Sequence, residues 1–251
     1  MGELISRIKR FYRWQDREKR DITITILALT FMFGYNDCIS ILFDNCPEDF
    51  LLSRWALHMV LTLIIVTISF LAYDFGMKTA ALHQGFLAEY VMWPQGIMLG
   101  IIITLLTKGK FFLLLIGGLE LHHHGILRIG KWRYGLNIVA KGTVAAAGPL
   151  ANLVLMTFGL MLSKQLNILP DFFLYFAFIN GTMMVYQLLP IPKINGFHIF
   201  FMSRLAYVFI ACVMVSYALL ALAGVFSWII AFIIGVVAWL LWYWYMEGGK
   251  T

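Results

Sequence analysis

Six runs of apolar residues, each about as long as a membrane crossing, constrain this chain more than any other feature of its sequence. A helix needs about 20 residues to span the hydrocarbon core of a bilayer. Because 61% of the 251 residues are hydrophobic and only 13% are charged, the chain has too few polar residues to cover a soluble globule. The runs therefore predict an all-α membrane protein with about six transmembrane helices. The predicted crossings are 22–43, 52–72 with a helical continuation toward Leu82, 137–162, 171–189, 205–223 and 226–245.

The stretch between the second and third crossings, residues 85–136, has a different pattern. Its apolar pieces, 97–106 and 111–119, are too short to cross a bilayer and are interrupted by glycine, proline and lysine. Short runs of this kind are typical of a re-entrant or interfacial hairpin, whose backbone polar groups are satisfied by neighbouring helices or water. We therefore expect one membrane domain over residues 22–246, with this hairpin inserted, and a short cytosolic tail at 247–251.

Residues 1–21 form a basic and amphipathic segment. Apolar residues recur at helical spacing among its basic residues, which are Arg7, Lys9, Arg10, Arg13, Arg17, Lys19 and Arg20. The pattern predicts a helix on the lipid headgroups rather than a cleavable signal peptide, because the apolar run that follows is span-length and lacks a small-residue cleavage site. The net charge of +6 is spread among loops beside apolar runs, so membrane topology explains it better than nucleic-acid binding.

The distribution of basic residues predicts the orientation of the bundle. With a cytosolic N-terminus, all of the 19 Lys and Arg residues except Arg54 and Lys164 fall on the inner side. Cytoplasmic loops carry such an excess, so we expect a multi-pass protein of the cytoplasmic membrane with both termini in the cytosol. Two of the three cysteines, Cys38 and Cys46, fall near the outer face, where they either pair or remain as two free thiols.

Three separated stretches carry a pattern that points to function. The first is Y-D-F-G-M at 73–77 followed by A-E-Y-V-M-W-P-Q-G at 88–96, the second is A-A-A-G-P-L-A-N at 145–152, and the third is L-L-P-I-P-K-I-N-G at 188–196. In order and spacing they resemble motifs of the archaeal-type site-2 proteases, a family of intramembrane zinc metalloproteases. The family patterns are H-E-x-x-H with a following A-E-[FY]-x-x-W-P-x-G, then A-G-P-L-x-N, then N-x-x-P-x-P-x-x-D-G. Small-residue runs also pack transmembrane helices, but packing alone does not require the matching proline and glycine positions.

The resemblance implies a site-2-protease-like fold with altered zinc ligands. In the family, two histidines and the carboxylate of the D-G motif bind zinc, and the glutamate activates the metal-bound water. The matching positions here hold Tyr73, Asp74, Met77 and Asn195. Since a phenol, a thioether and an amide are poor ligands for zinc, we expect a degenerate site from which zinc is lost, with no catalytic residue, no metal and no other cofactor.

Two alternatives remain open at this stage. His122 and His124 share a face as alternate residues of an extended segment and form a candidate metal site with Glu120. A solvated or headgroup-facing loop is the commoner meaning of such a histidine tract. In the second alternative, the chain is an intramembrane metalloprotease that uses unconventional ligands.

The sequence also predicts two contacts within the former active site. Lys78 stands four residues after Asp74, a spacing that favours an ion pair, although a lysine at this depth also snorkels to the interface. The amide of Asn195 is expected to hydrogen-bond to Tyr73 and so to tie the second and fourth crossings together in place of zinc.

The resemblance thus implies a non-catalytic member of the site-2-protease fold, a pseudoprotease of archaeal type. A fold that holds a transmembrane segment near its centre is suited to an accessory subunit, scaffold or adaptor that binds transmembrane segments or a membrane complex. The expected partners are membrane lipids and other integral membrane proteins, and no nucleic acid.

Overall fold

The computed structural model describes residues 2–36, 52–123, 137–165 and 170–247. Within these ranges the chain forms nine helices and one two-stranded antiparallel sheet. In chain order the elements are α1 Gly2–Phe11, α2 Asp16–Gly34, α3 Leu52–His83, β1 Phe86–Met92, α4 Pro94–Leu106, β2 Gly117–His123, α5 Ile138–Gln165, α6 Pro170–Gln187, α7 Asn195–Met202, α8 Arg204–Leu222 and α9 Trp228–Glu247.

Four of the described helices, α3, α5, α8 and α9, are long and apolar enough to cross a membrane. The helices α2 and α6 overlap the first and fourth predicted crossings but fall outside that group. The first turns of α2 are highly charged, and α6 carries Asn180 and Gln187 within its buried face. The structure thus supports a mostly helical membrane protein with four candidate crossings, where the sequence predicted six.

The cysteines can be placed only in part. Cys38 and Cys46, whose pairing the sequence left open, lie outside the described residues. The remaining cysteine, Cys212 on α8, is a free thiol.

The region predicted as a re-entrant or interfacial hairpin folds as strand, helix, strand over residues 85–123, and its remainder, 124–136, lies outside the described residues. The strands β1 and β2 pair along their whole length, with Phe86 opposite His123. The helix α4 packs closely on the chain that returns to β2, because a Cβ on Gly96 would lie 2.2 Å from the carbonyl oxygen of Leu115. Sequence reasoning missed this sheet because its strands are short, and because their pairing joins residues distant in the sequence.

The outer edge of β1 is covered by carboxylates of α2. The backbone N–H of Tyr90 donates to Glu18 at 2.9 Å, and that of Met92 donates to Asp21 at 3.4 Å. An uncovered strand edge is open to pairing with another chain, so α2 protects this one. The segment predicted at 1–21 as a single surface helix is therefore two elements, α1 and the start of α2, and Glu18 and Asp21 of the second are buried against the sheet.

The centre of the bundle is the junction of α3 with α5. The two helices approach closely because both carry glycine at the contact: a Cβ on Gly76 would lie 2.9 Å from the carbonyl oxygen of Ala147, and one on Gly148 would lie 2.5 Å from the ring of Tyr73. The short helix α7 begins beside them. Its first residue, Asn195, lies against Gly118 of β2, where a Cβ would approach the amide oxygen to 2.8 Å.

Candidate functional site

The three positions that match zinc ligands converge at this junction. Tyr73 and Met77 lie one turn apart on α3, and Asn195 begins α7. Their side chains are buried, with 0%, 1% and 0% exposure respectively. The Asn195 amide nitrogen donates to the Tyr73 phenol oxygen at 2.8 Å and to the Met77 sulfur at 3.1 Å. The hydrogen bond expected between Asn195 and Tyr73 is thus present.

A chain of hydrogen bonds fixes the orientation of these groups. The Asn195 amide oxygen accepts from the backbone N–H of Leu119 at 3.2 Å, so its nitrogen must face Tyr73. The Tyr73 hydroxyl donates to the Gln187 side-chain oxygen at 3.1 Å, and the Gln187 amide nitrogen donates to the Gly117 carbonyl at 3.4 Å. The chain begins and ends on β2, so it cross-links β2, α3, α6 and α7.

This arrangement does not fit a zinc ion. Ligand atoms about 2.1 Å from a tetrahedral ion stand about 3.4 Å from one another. Here the Asn195 amide nitrogen lies closer than that to both the Tyr73 oxygen and the Met77 sulfur, and it donates directly to each of them. The Tyr73 ring also packs on Gly148 and fills the space beside α5. Among the described residues, moreover, no three His, Cys, Asp or Glu side chains form a group able to hold a metal.

Asn195 and Tyr73 should be energetically coupled through their hydrogen bond. We expect Asn195→Ala and Tyr73→Phe to lower the free energy of unfolding in detergent non-additively, with a coupling of about 0.5–3 kcal/mol, because both substitutions break one buried bond. The measurement is a double-mutant cycle by denaturant titration. Tyr73→Phe combined with Ser227→Ala, which removes a cap of α9, is the control and should be additive. Additivity in both cycles would show that the bond contributes nothing.

Asp74, at the position of the general base, lies in a separate buried ion cluster. One carboxylate oxygen accepts from the Trp14 indole at 2.9 Å and lies 3.3 Å from the Lys78 ammonium. The same ammonium lies 2.9 Å from Glu18, whose carboxylate is also buried. The ion pair expected between Asp74 and Lys78 is confirmed. Asp74 Oδ1 and Glu18 Oε2 have no hydrogen-bond partner among the described residues.

The segment that connects α1 with α2, residues 12–15, covers this cluster. The Lys78 ammonium lies 5.3 Å from the Tyr12 ring centroid and 5.4 Å from the Trp14 centroid, within range of a cation–π interaction. Burial raises the pKa of Tyr12 to about 12, and the negative charges of Asp74 and Glu18 contribute to this rise. The N-terminal segment was predicted to lie on lipid, but its aromatic residues pack on the protein and close off the Asp74 carboxylate.

Asn152, from the A-G-P-L-x-N pattern, lies one turn after Gly148 on α5. It is fully buried, and neither polar atom of its side chain has a hydrogen-bond partner among the described residues. Buried amides are normally paired, so this position is an exception that the structure does not explain.

The alternative metal site is described only in part. Glu120 and His122 lie on β2, and His124 is outside the described residues. The His122 imidazole faces the Glu89 carboxylate at 3.6 Å. Nearby, burial and the positive charge of Lys141 hold the pKa of His198 below its ordinary value, although a hydrogen bond to the Leu119 backbone acts in the opposite direction.

Comparison with known proteins gives one similarity. No family model and no solved structure matches the chain. The chain is 28% identical over 188 residues to a Methanocaldococcus jannaschii protein named "Putative zinc metalloprotease MJ0611". The similarity covers 74% of this chain and 84% of that protein, so it extends through most of both.

Proposed function

We propose that this chain is a non-catalytic, site-2-protease-like protein of the cytoplasmic membrane, with both termini in the cytosol, that binds transmembrane segments of other proteins. The observation that carries the proposal is the direct contact of Tyr73, Met77 and Asn195 at the positions of the zinc ligands. A polar network stands where the family holds its metal. A tetrahedral ion at this position, or peptide hydrolysis by the purified chain, would overturn it.

Two independent findings support membership of the family. The first is the extended similarity to a protein that bears the name of a zinc metalloprotease. The second is that glycines of two of the family patterns serve close packing: Gly96 lies against the chain leading to β2, and Gly148 receives the Tyr73 ring. The glycines of the family patterns thus have a packing role in this chain, although the residues at the ligand positions differ.

The burial of Asp74 and its contacts with other side chains support the proposal that the chain does not hydrolyse peptides. A general base must reach the proton that it abstracts, whereas this carboxylate is 1% exposed and is engaged by Trp14 and Lys78. The residues at the ligand positions provide no anionic group that would neutralise a divalent cation. Neither requirement of metal-dependent hydrolysis is met by the residues present.

A groove on the side of the bundle supports binding of a transmembrane segment. It encloses about 250 Å³ between α6 and α8, with Met156 of α5 at its base. Its floor includes the small residues Ala177, Gly181 and Ala218, while Leu219 lies on its rim. Small residues let helix backbones approach closely within a membrane, where packing rather than the hydrophobic effect drives association.

Filling this groove tests the proposed function. Val185→Trp with Leu219→Trp adds bulk at two exposed rim positions, 39% and 62% exposed. We expect the wild-type chain, purified from native membranes after mild solubilisation, to retain a membrane protein in stoichiometric amount. The groove variant should lose most of it, because the added rings occupy the space of the bound helix.

The matched control places the same residues elsewhere on the apolar surface. Ile229→Trp with Leu240→Trp changes two positions of α9 that are 75% and 51% exposed. This variant should retain the partner. Equal retention by the groove variant, or equal loss by the control, would contradict binding at the groove.

A further inference from the structure

A second cavity lies between the segment that connects α1 with α2, the end of α3 and the start of β1. It encloses about 490 Å³, within the range of about 300–1,000 Å³ typical of small-molecule sites. Tyr73, Met77 and Asn195 do not line it. The cavity therefore excludes the three positions that match zinc ligands, although Lys78, which pairs with Asp74, lies on its wall.

The cavity wall carries three cations, of which Lys78 is already paired with Glu18 and Asp74. Arg10 and Arg13 lie on its wall and are exposed. Within the described part of the chain, neither guanidinium forms an ion pair with a carboxylate. Glu89, an acidic residue of the wall, accepts from the Gln15 amide and faces His122 instead. Unpaired guanidinium groups bind phosphate through two parallel hydrogen bonds.

Part of the remaining wall is apolar, and Tyr12, Gln15 and the paired Lys78 also line it. Phe11, Leu82 and Leu87 lie beside the two arginines. A free phosphate ion would contact the arginines but leave these carbon surfaces uncovered, whereas an amphiphile would contact both. The helix α1, which carries basic and apolar residues at helical spacing, ends at this cavity, and such helices lie in the plane of the headgroups.

We propose that this cavity binds the phosphate-bearing headgroup of an anionic phospholipid, with Arg10 and Arg13 on the phosphate and the apolar wall against the glycerol and first acyl carbons. The site depends neither on the lost zinc ligands nor on a protein partner. It adds a specific lipid to the proposed function.

Lipid titration of the purified full-length chain tests the proposal. Native mass spectrometry in detergent would compare phosphatidylglycerol with phosphatidylcholine. We expect the wild type to bind the first lipid more tightly, and Arg10→Gln with Arg13→Gln to weaken that binding about tenfold or more, since bonds to charged groups are lost. Phosphatidylcholine binding should not change. Equal affinities of the wild type for the two lipids would overturn the proposal.

Two controls separate this site from general charge effects and from free phosphate. Lys9→Gln with Arg17→Gln removes the same charge at exposed positions outside the cavity and should leave lipid binding unchanged. An equal loss in this variant would refute a specific site. Inorganic phosphate in excess should not displace the lipid, and displacement would identify a free-phosphate site instead.

Discussion

Purified wild-type protein should contain far less than one zinc ion per chain, whereas Tyr73→His combined with Met77→His and Asn195→Asp should bind about one. These substitutions place two imidazoles and a carboxylate where the side-chain tips already converge. Imidazole is also smaller than the Tyr73 phenol that packs on Gly148, so the change opens space for the ion. The measurement is metal content by inductively coupled plasma mass spectrometry after dialysis against zinc.

A triple variant without zinc ligands separates binding from altered packing. Tyr73→Phe with Met77→Leu and Asn195→Ala should bind no zinc. The histidine and aspartate variant should also unfold at a higher temperature when zinc is present, because an ion that binds the folded state stabilises it. Stoichiometric zinc in the wild type, lost on changing Met77 alone, would instead identify an enzyme with unconventional ligands.

The sequence predicted the contacts among Tyr73, Asp74, Lys78 and Asn195 better than it predicted their surroundings. The Asn195 to Tyr73 bond was foreseen because the two motif positions converge on one ion in the family. Gln187 and Leu119 were missed because their contribution depends on the register of α6 and β2 against α3. In the sequence alone, neither the glutamine at 187 nor the leucine at 119 indicates a functional site.

The N-terminal segment shows a limit of amphipathic patterns. Apolar residues at helical spacing indicate that one face is buried, but they do not distinguish lipid from protein as the surface that buries it. Glu18, an acidic residue within a basic run, was the available sign that this segment meets the protein, because it pairs with Lys78.

The number of crossings was also predicted only in part. The lengths of the apolar runs predicted six crossings, whereas four helices within the described residues are long and apolar enough to cross a membrane.

Removing the Lys78 ammonium should have the largest effect on stability of any single substitution in the N-terminal half of the bundle. Lys78 lies between the carboxylates of Glu18 and Asp74, and all three side chains are nearly inaccessible, with side-chain exposures of 5%, 2% and 1%. Lys78→Met keeps an unbranched side chain, shorter by one heavy atom, but leaves two buried negative charges uncompensated. Loss of one partner from a buried pair costs about 3–5 kcal/mol, and we expect a decrease of this order in the free energy of unfolding in detergent.

The matched control is a lysine whose ion pair is exposed. Lys19 lies 3.0 Å from Asp16, with side-chain exposures of 58% and 101%, so Lys19→Met should leave stability unchanged because water screens that pair. Adding Glu18→Gln to Lys78→Met should recover part of the loss, since it removes one of the two stranded charges. If Lys78→Met is instead as stable as Lys19→Met, the ammonium lies at the interface rather than between the carboxylates.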